Sequence, residues 1–222
     1  MSKTSDLAPL DAVGWLAQQP PEFRDWAAAV GRWRHYQRDQ VLYVAGDPSD
    51  GLYGLAEGAF DITFPLVAEE PVTIHRAEIG FWIGESALLA YELRAVTLHA
   101  AAPSRVFFIP GNAVRALLAQ CPEHWRAFYL LSHINAVTAV NLLAQTLALS
   151  VPARVARRLL RLADPSGVVS VTQDDLAKLI GVARATLQRA FDELVKAGAI
   201  ETGYRSITIA DQAALERYLN QQ

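Results

Sequence analysis

The stretch Thr172–Lys196 restricts what this chain can fold into more than any other, because it joins two amphipathic helical patterns through a glycine. Apolar residues recur at helical spacing before and after Gly181, and glycine stands where the backbone must turn sharply. The pattern predicts a helix-turn-helix. The apolar positions are Leu176, Leu179 and Ile180 in the first helix and Leu187, Phe191, Leu194 and Val195 in the second.

Long hydrogen-bond donors occupy the opposite side of the second helix. Arg184, Gln188 and Arg189 lie near its N-terminal half, which is the part that a helix in the major groove offers to base edges. Arginine there reaches guanine O6 and N7 with two bonds. The helices by themselves also fit an ordinary αα-hairpin with a solvated basic face, so the pattern leaves both interpretations open.

The residues after this helix favour a DNA-binding domain. Gly198 ends the helix, and Ala199–Glu201 and Ser206–Ile209 are short strands around the turn Thr202–Arg205, which predicts a β-hairpin wing. The segment from about Val168 to Leu219 resembles the DNA-binding domain of the Crp/Fnr family of bacterial transcription regulators. The resemblance implies that DNA is contacted by Thr172, Arg184, Ala185, Thr186, Gln188, Arg189 and, in the wing, Arg205.

One position departs from the family pattern. Familiar members carry a glutamate one residue after the position of Arg184, where this chain has Ala185. A carboxylate would accept a hydrogen bond from cytosine N4, and alanine cannot. We therefore expect a palindromic operator with half-sites one helical turn apart, guanines read by Arg184 and Arg189, and weak discrimination at the pair that a glutamate would specify.

Composition sets the class of protein. A chain of 222 residues, 52% of them hydrophobic, has room for one large or two modest domains. The net charge is −3, but residues 150–222 hold ten Lys and Arg against eight Asp and Glu. This distribution fits a basic DNA-binding domain joined to an acidic sensor domain. The single Cys121 excludes an internal disulfide, and the N-terminus lacks an apolar leader. These features predict a cytoplasmic protein.

The first half of the chain changes from helices to short strands. Two helices are predicted at Leu7–Gln18 and Pro21–Val30, with Trp15, Trp26 and Trp33 available for packing. The runs that follow, separated by Gly, Pro and Asp turns, predict a small sandwich or barrel. The predicted strands are Gln40–Val44, Gly51–Leu55, Ala59–Phe64, Val72–His75, Val96–His99 and Arg105–Ile109.

Two segments of this region resemble the cyclic-nucleotide-binding roll of the same family. Val44–Tyr53, followed by Glu57-Gly58, is similar to its opening turn and strand. Ile83–Leu89, with an arginine shortly after it, is similar to the phosphate-binding cassette. The resemblance implies that Glu85 accepts from a ribose hydroxyl, Arg94 binds the phosphate, and a cyclic nucleotide such as cyclic AMP is the effector. The implied contacts are Gly84, Glu85, Ser86, Arg94 and Ala95.

The alternative is that Glu85 and Arg94 pair with each other in an inert scaffold that binds no nucleotide. Leu93 and Ser86 depart from the family pattern, and our alignment places Ala139 and Val140 where the best-known member has hydroxyls against the adenine. The sequence shows no further ligand residues that would make His75 part of a haem site, and no histidine pair has metal-ligand spacing, so no metal site is predicted.

The stretch Pro122–Leu149 predicts a long, mostly apolar helix, whose Asn135, Asn141 and Gln145 argue against a membrane span. A helix with several apolar faces needs several partners, so we expect a homodimer, although a helix buried within a monomer would give the same pattern. The predicted dimer seam contains Trp125, Tyr129, Ser132, Ala136, Ala139 and Leu143.

The predicted fold is therefore α+β, with a sensor domain at residues 1–121, a dimerisation helix at 122–149 and a winged helix-turn-helix at 150–222. Ser150 is the expected hinge, because Pro152 suits the first turn of the next helix. The expected partners are duplex DNA, a second copy of the chain and RNA polymerase. No nucleophile with an adjacent base is visible, so the sequence offers nothing positive for an enzyme. A ligand-independent DNA-binding protein remains the alternative.

Overall fold

The computed structural model describes residues 7–66, 71–203 and 206–220. The chain divides into two compact units, Met1–Val137 and Thr138–Gln222. The first contains the strand-rich half of the sequence, and the second contains the helix-turn-helix. Each unit is described separately below.

The N-terminal segment holds one helix where the sequence predicts two. Helix α1 spans Pro21–Val30 as expected, but Leu7–Gln18 forms turns and only a short 3₁₀-helix at Leu16–Gln18. The predicted first helix is therefore wrong. Gly14 adopts a φ of +81°, and a side chain there would collide with the carbonyl of Gly80. The turn lets the chain pass close to the roll, which a continuous helix would prevent.

Two antiparallel four-stranded sheets form a jelly roll, in agreement with the small sandwich or barrel that the strand pattern predicts and with the roll that the family resemblance implies. One has the order β1-β8-β3-β6 and the other β2-β7-β4-β5. The short strands β1 and β6 were missed, because neither shows a clear period-two pattern. The strands are β1 Arg32–Tyr36, β2 Val41–Tyr43, β3 Gly51–Glu57, β4 Phe60–Phe64, β5 Val72–Ala77, β6 Trp82–Ile83, β7 Thr97–Ala100 and β8 Ser104–Pro110.

Strand β3 is buried on both faces, which explains its continuous apolar sequence. Tyr53 and Leu55 point into the core between the two sheets, together with Phe60 and Leu98. Leu52, from the other face of the strand, packs in a second core beneath the helices. The alternation of side chains along one strand thus joins the sheet core to the helical layer.

The helices of the first unit cover the outer face of one sheet. They are α1, α2 Glu85–Ala90, α3 Gly111–Gln120 and the beginning of α4 Trp125–Ala148. Trp15 packs against Phe23, Trp82 and Phe128, and its indole N–H donates to Ala127 O at 2.7 Å. The buried aromatic surface stabilises the contact between the helices and the sheet. The hydrogen bond to Ala127 satisfies the indole N–H, which would otherwise be a buried donor without a partner.

Helix α4 follows a 3₁₀ turn at Pro122–His124. By length and composition, Pro122–Ala148 in the described part of the chain is apolar enough to cross a membrane, a criterion that packed helices of soluble proteins also meet. In the first unit Ala127, Phe128 and Leu131 of this helix are buried against the roll. Much of the rest of its apolar surface is exposed.

The second unit is a three-stranded sheet surrounded by helices. The sheet order is β10-β11-β9, and the hairpin β10–β11 is the predicted wing. Tyr204 and Arg205, at the tip of the predicted turn, lie outside the described residues. The elements are α5 Val151–Leu162, β9 Val168–Val169, α6 Gln173–Ile180, α7 Arg184–Lys196, β10 Ile200–Gly203, β11 Ser206–Ile209 and α8 Gln212–Asn220.

Candidate functional sites

The turn between α6 and α7 is fixed by local hydrogen bonds. Thr172 is the N-cap of α6, where its hydroxyl accepts from the Asp175 N–H at 3.1 Å and donates to the Asp175 carboxylate at 2.9 Å. Gly181 ends the helix with a φ of +70°, a conformation that glycine adopts without a steric penalty. Thr172, which the resemblance assigns to DNA, thus also orders the first helix of the motif.

Helix α7 separates a buried face from an exposed one. Leu187, Ala190, Phe191 and Leu194 are buried in the core of the second unit. Val195, predicted to belong to this stripe, is instead 44% exposed because it lies beyond the edge of the buried face. The predicted reading residues Arg184, Ala185, Gln188 and Arg189 are all exposed, and Thr186 is half-buried. The structure therefore brings these candidate readers together on one surface.

Arg184 pairs with Asp174, a residue that the sequence pattern does not single out. Its guanidinium lies 3.3 Å from the carboxylate of Asp174 in α6, and the side chains are 69% and 64% exposed. An ion pair so exposed contributes little to stability and exchanges readily. Asp174 lies on the other side of the turn at Gly181, so only the packing of the two helices could reveal the contact.

Gln188 and Arg189 have short-range partners on their own helix. Gln188 donates to Asp192 at 2.9 Å, while Arg189 donates to the carbonyl of Ala185 at 3.3 Å and to the hydroxyl of Thr186 at 3.4 Å. These bonds are all exposed to solvent. Base edges or phosphates can replace them without uncovering a buried group.

Helix α5 contacts the end of α6 through an arginine. Arg154 donates to the carbonyl of Ile180 at 2.9 Å, at the end of α6. The guanidinium of Arg154 thereby satisfies a helix-terminal carbonyl that lacks a partner within α6.

At the cassette, Arg94 is buried and oriented by its neighbours. Its side chain is 2% exposed, and Nη2 donates to Asp50 at 2.7 Å and to the carbonyl of Gly51 at 3.1 Å. The guanidinium also lies over the ring of Tyr43, 3.7 Å from its centroid. The alternative in which Arg94 pairs with Glu85 is wrong, since Arg94 pairs with Asp50. An anion that reached Arg94 would share its guanidinium with this carboxylate or displace it.

Glu85 faces helix α4 instead. It is 3% exposed, and its Oε1 accepts from Asn135 Nδ2 at 3.0 Å and from the Ser132 hydroxyl at 3.4 Å. Burial raises the pKa of this carboxyl, and the hydrogen bonds from Asn135 and Ser132 offset only part of that shift. Within the described residues, Glu85 Oε2 and Asn135 Oδ1 are buried and have no hydrogen-bond partner. A protonated Glu85 or a ligand hydroxyl would supply the donor that these atoms lack.

The other cassette residues divide by exposure. Gly84 is buried with a φ of +116°, and a side chain there would collide with the carbonyl of Gly51. Ser86 and Ala95 are exposed, as is Leu93, the residue before the arginine. The close approach of Gly84 to β3 explains why the cassette begins with glycine.

Comparison with known proteins agrees with this architecture. Residues 33–121 match the cyclic nucleotide-binding domain, and residues 153–218 match the Crp-like helix-turn-helix domain. The chain belongs to the Crp/Fnr family of transcription regulators. The transcriptional regulator LdrP of Thermus thermophilus is 29% identical over 194 residues, which cover 83% of this chain and 95% of LdrP.

One further relative and one solved structure are also similar to this chain. The CRP-like cAMP-activated global transcriptional regulator of Mycobacterium tuberculosis is 26% identical over 82% of this chain and 85% of its own. A solved structure of a Crp/Fnr-family transcriptional regulator from Eubacterium rectale superposes with a TM-score of 0.78, at 16% identity, covering 92% of this chain and 97% of that one. The fold of this Crp/Fnr chain is therefore shared with distant members.

Helix α4 of this Crp/Fnr regulator carries the predicted dimer seam. In the first unit Trp125, Tyr129 and Ala136 are exposed, Tyr129 by 72%. In the second unit Ala139 and Leu143 are exposed as well, and Leu143 retains 59% of its surface. Ser132, the remaining residue of the predicted seam, is half-buried and donates to Glu85, because the helix turns that position toward the cassette.

Other exposed residues of the same helix point to a different register. Val140 is 64% exposed and Leu147 is 78% exposed. Apolar side chains packed in a core retain much less exposed surface, so these two are available to a partner. Within the second unit they lie three residues before and four residues after the exposed Leu143, which is the spacing of a coiled-coil seam. Exposure therefore identifies Val140 and Leu147 as seam candidates that the apolar sequence alone did not distinguish.

Proposed function

We propose that this Crp/Fnr regulator acts as a cytoplasmic homodimer that reads a palindromic operator through α7 and works with RNA polymerase. The observation that supports operator reading is the exposed surface of Arg184, Ala185, Gln188 and Arg189, held in place by a buried opposite face. Half-sites one helical turn apart follow from two recognition helices related by a two-fold axis.

Selection of binding sites from random DNA tests this proposal. We expect a symmetric site whose half-sites contain guanines, with little preference at the base pair opposite Ala185. A single asymmetric site, or a strongly fixed cytosine-containing pair opposite Ala185, would contradict the placement of α7 in the groove.

The partner of α4 in this proposal is α4 of a second chain. Its exposed apolar side chains would lose contact with water in a dimer, and apolar burial is the main driving force of such association. Ala136→Glu places two like charges at the seam, so we expect the variant to sediment as a monomer while the wild type sediments as a dimer. The matched control is Asn141→Glu, at an exposed residue of the same helix that lies outside the predicted seam. A monomeric wild type would refute the dimer.

A cyclic nucleotide bound at the cassette is the effector that the family resemblance suggests for this chain. The unpartnered Oε2 of Glu85 supports it, since a ribose hydroxyl could donate there. The second candidate is a ligand-independent regulator, which is favoured by the pairing of Arg94 with Asp50 and by Ala139 and Val140 on α4.

Calorimetry with cyclic AMP and cyclic GMP separates the two candidates. Saturable binding that is lost in Arg94→Lys, which keeps the charge but not the fork of donors, would support effector control. No heat and no thermal stabilisation at millimolar nucleotide would support the ligand-independent regulator. DNA binding by the same preparation shows in either case that the protein is folded.

A further inference from the structure

Three potential metal ligands meet at the junction between α3 and α4. The Sγ atom of Cys121, a carboxylate oxygen of Glu123 and a ring nitrogen of His124 all lie within 4.8 Å of one another. Cys121 and His124 are half-buried, and Glu123 is exposed. The cluster belongs to the first unit and shares no residue with the cassette or with α7.

The backbone holds this cluster together. The N–H of Cys121 donates to Leu117 O at 2.7 Å at the end of α3, and the N–H of His124 donates to Cys121 O at 3.1 Å. Residues three apart in a 3₁₀ turn lie on the same side, so the thiol and the imidazole face the same way. The ring of His124 also packs edge-on against Phe23, with centroids 5.4 Å apart. Two of the three side chains are thus positioned by the fold.

The set of donor atoms selects the kind of ion. Thiolate and imidazole are ligands for zinc-like cations, whereas magnesium and calcium prefer sites built from oxygen alone. Around tetrahedral zinc, bond lengths of about 2.0–2.3 Å place ligand atoms about 3.3–3.8 Å apart. The observed separations need only small side-chain rotations to reach that geometry. Three protein ligands leave the fourth position for water.

We propose that Cys121, Glu123 and His124 form a binding site for a thiophilic divalent cation of the zinc type. Binding converts the Cys121 thiol to a thiolate, forms the metal–sulfur bond and releases one proton to solvent. The ion would connect the end of α3 to the turn that starts α4. Sequence reasoning missed the site because it searched for pairs of histidines, and here one histidine is joined by a cysteine and a glutamate.

Zinc titration of chelator-treated, full-length protein by calorimetry tests the proposal. We expect one ion per chain with micromolar or tighter affinity, and an affinity that rises with pH because the thiol must lose its proton. Cobalt should give a thiolate-to-metal charge-transfer absorption that is absent from Cys121→Ser. Each of Cys121→Ser and His124→Asn should weaken zinc binding about tenfold or more.

One control substitution and one further ligand substitution accompany the titration. His133→Asn removes an exposed histidine of α4 outside the cluster and should leave zinc binding unchanged. Glu123→Gln alters an exposed side chain that the fold does not need, so weaker binding in that variant cannot be attributed to unfolding. No zinc binding at micromolar concentration, or equal binding by the wild type and Cys121→Ser, would overturn the proposal.

Discussion

The cassette and the recognition helix both carry charged residues, but the fold treats them in opposite ways. At the cassette, Glu85 and Arg94 are buried and hydrogen-bonded to residues from distant parts of the chain. On α7, Arg184 and Arg189 are exposed and have weak partners close by. Buried charged residues thus order the interior of a domain, whereas exposed charged residues are available to a binding partner.

The largest effect that we expect comes from truncating the buried arginine. Arg94→Ala removes the hydrogen bonds to Asp50 and Gly51 and the contact with Tyr43, so the free energy of unfolding should fall by about 2–4 kcal/mol. Arg184→Ala, at a 69% exposed side chain, is the control and should change stability by less than about 0.5 kcal/mol. Urea unfolding measures both, and equal effects would remove the distinction between the regions.

Arg189→Ala should show the reverse pattern. We expect a loss of about 1–3 kcal/mol in binding to the selected operator, relaxed preference at one base position, and unchanged thermal stability. Lys196→Ala, at the last turn of the same helix, removes an equal charge and should spare the base preference. Electrophoretic mobility shifts on operator variants give the comparison. A uniform loss on all sequences would assign Arg189 to phosphate.

Glu85→Gln should stabilise the protein at neutral pH by about 1 kcal/mol. A raised carboxyl pKa means that the folded state holds its proton more tightly, so the wild type loses stability as pH rises above the ordinary value of 4.5. Glutamine avoids that loss and can donate to Asn135 Oδ1. The gain should therefore grow with pH across thermal melts, and Glu57→Gln at an exposed ion pair should show no such trend. A gain independent of pH would contradict a buried, titrating Glu85.

Asp174→Asn should produce the smallest effect. Removing the carboxylate beside Arg184 also removes repulsion of DNA phosphates, so affinity for random DNA should rise about two- to fivefold. The increase should diminish at high salt, because the interaction is exposed and screened. Glu216→Gln makes the same charge change on α8, away from the motif, and should have less effect. If both variants gain equal affinity for random DNA, the change in net charge explains the increase, and the loss of the Asp174–Arg184 ion pair does not.

The structure confirms much of the fold that residue patterns predicted. The small sandwich, the long helix and the helix-turn-helix with its β-hairpin are present, because period-two and helical apolar patterns follow directly from which side of each element is buried. The predicted helix at Leu7–Gln18 failed at Gly14, where a close approach to Gly80 overrides helix propensity. Helix α3 was not predicted at all. Local propensity could not anticipate either outcome.

The sites were predicted less completely than the fold. The pattern named Arg94 and Glu85 as nucleotide contacts, with their mutual pairing as the alternative, and neither interpretation foresaw that Asp50 and Asn135 would lie beside them. For α7 the reading residues were predicted together, because one helix fixes their relative positions. Their binding roles remain predictions.

The sequence by itself determined the succession of elements and the surface of α7, because residues within one helix or strand have relative positions set by its repeat. Only the tertiary structure decided which carboxylate pairs with Arg94, that Asn135 holds Glu85, and that Val140 and Leu147 stay exposed. These contacts join residues that are far apart in the chain or depend on which faces of α4 are covered. Periodicity carries no information on such pairs, since they arise when separate elements pack.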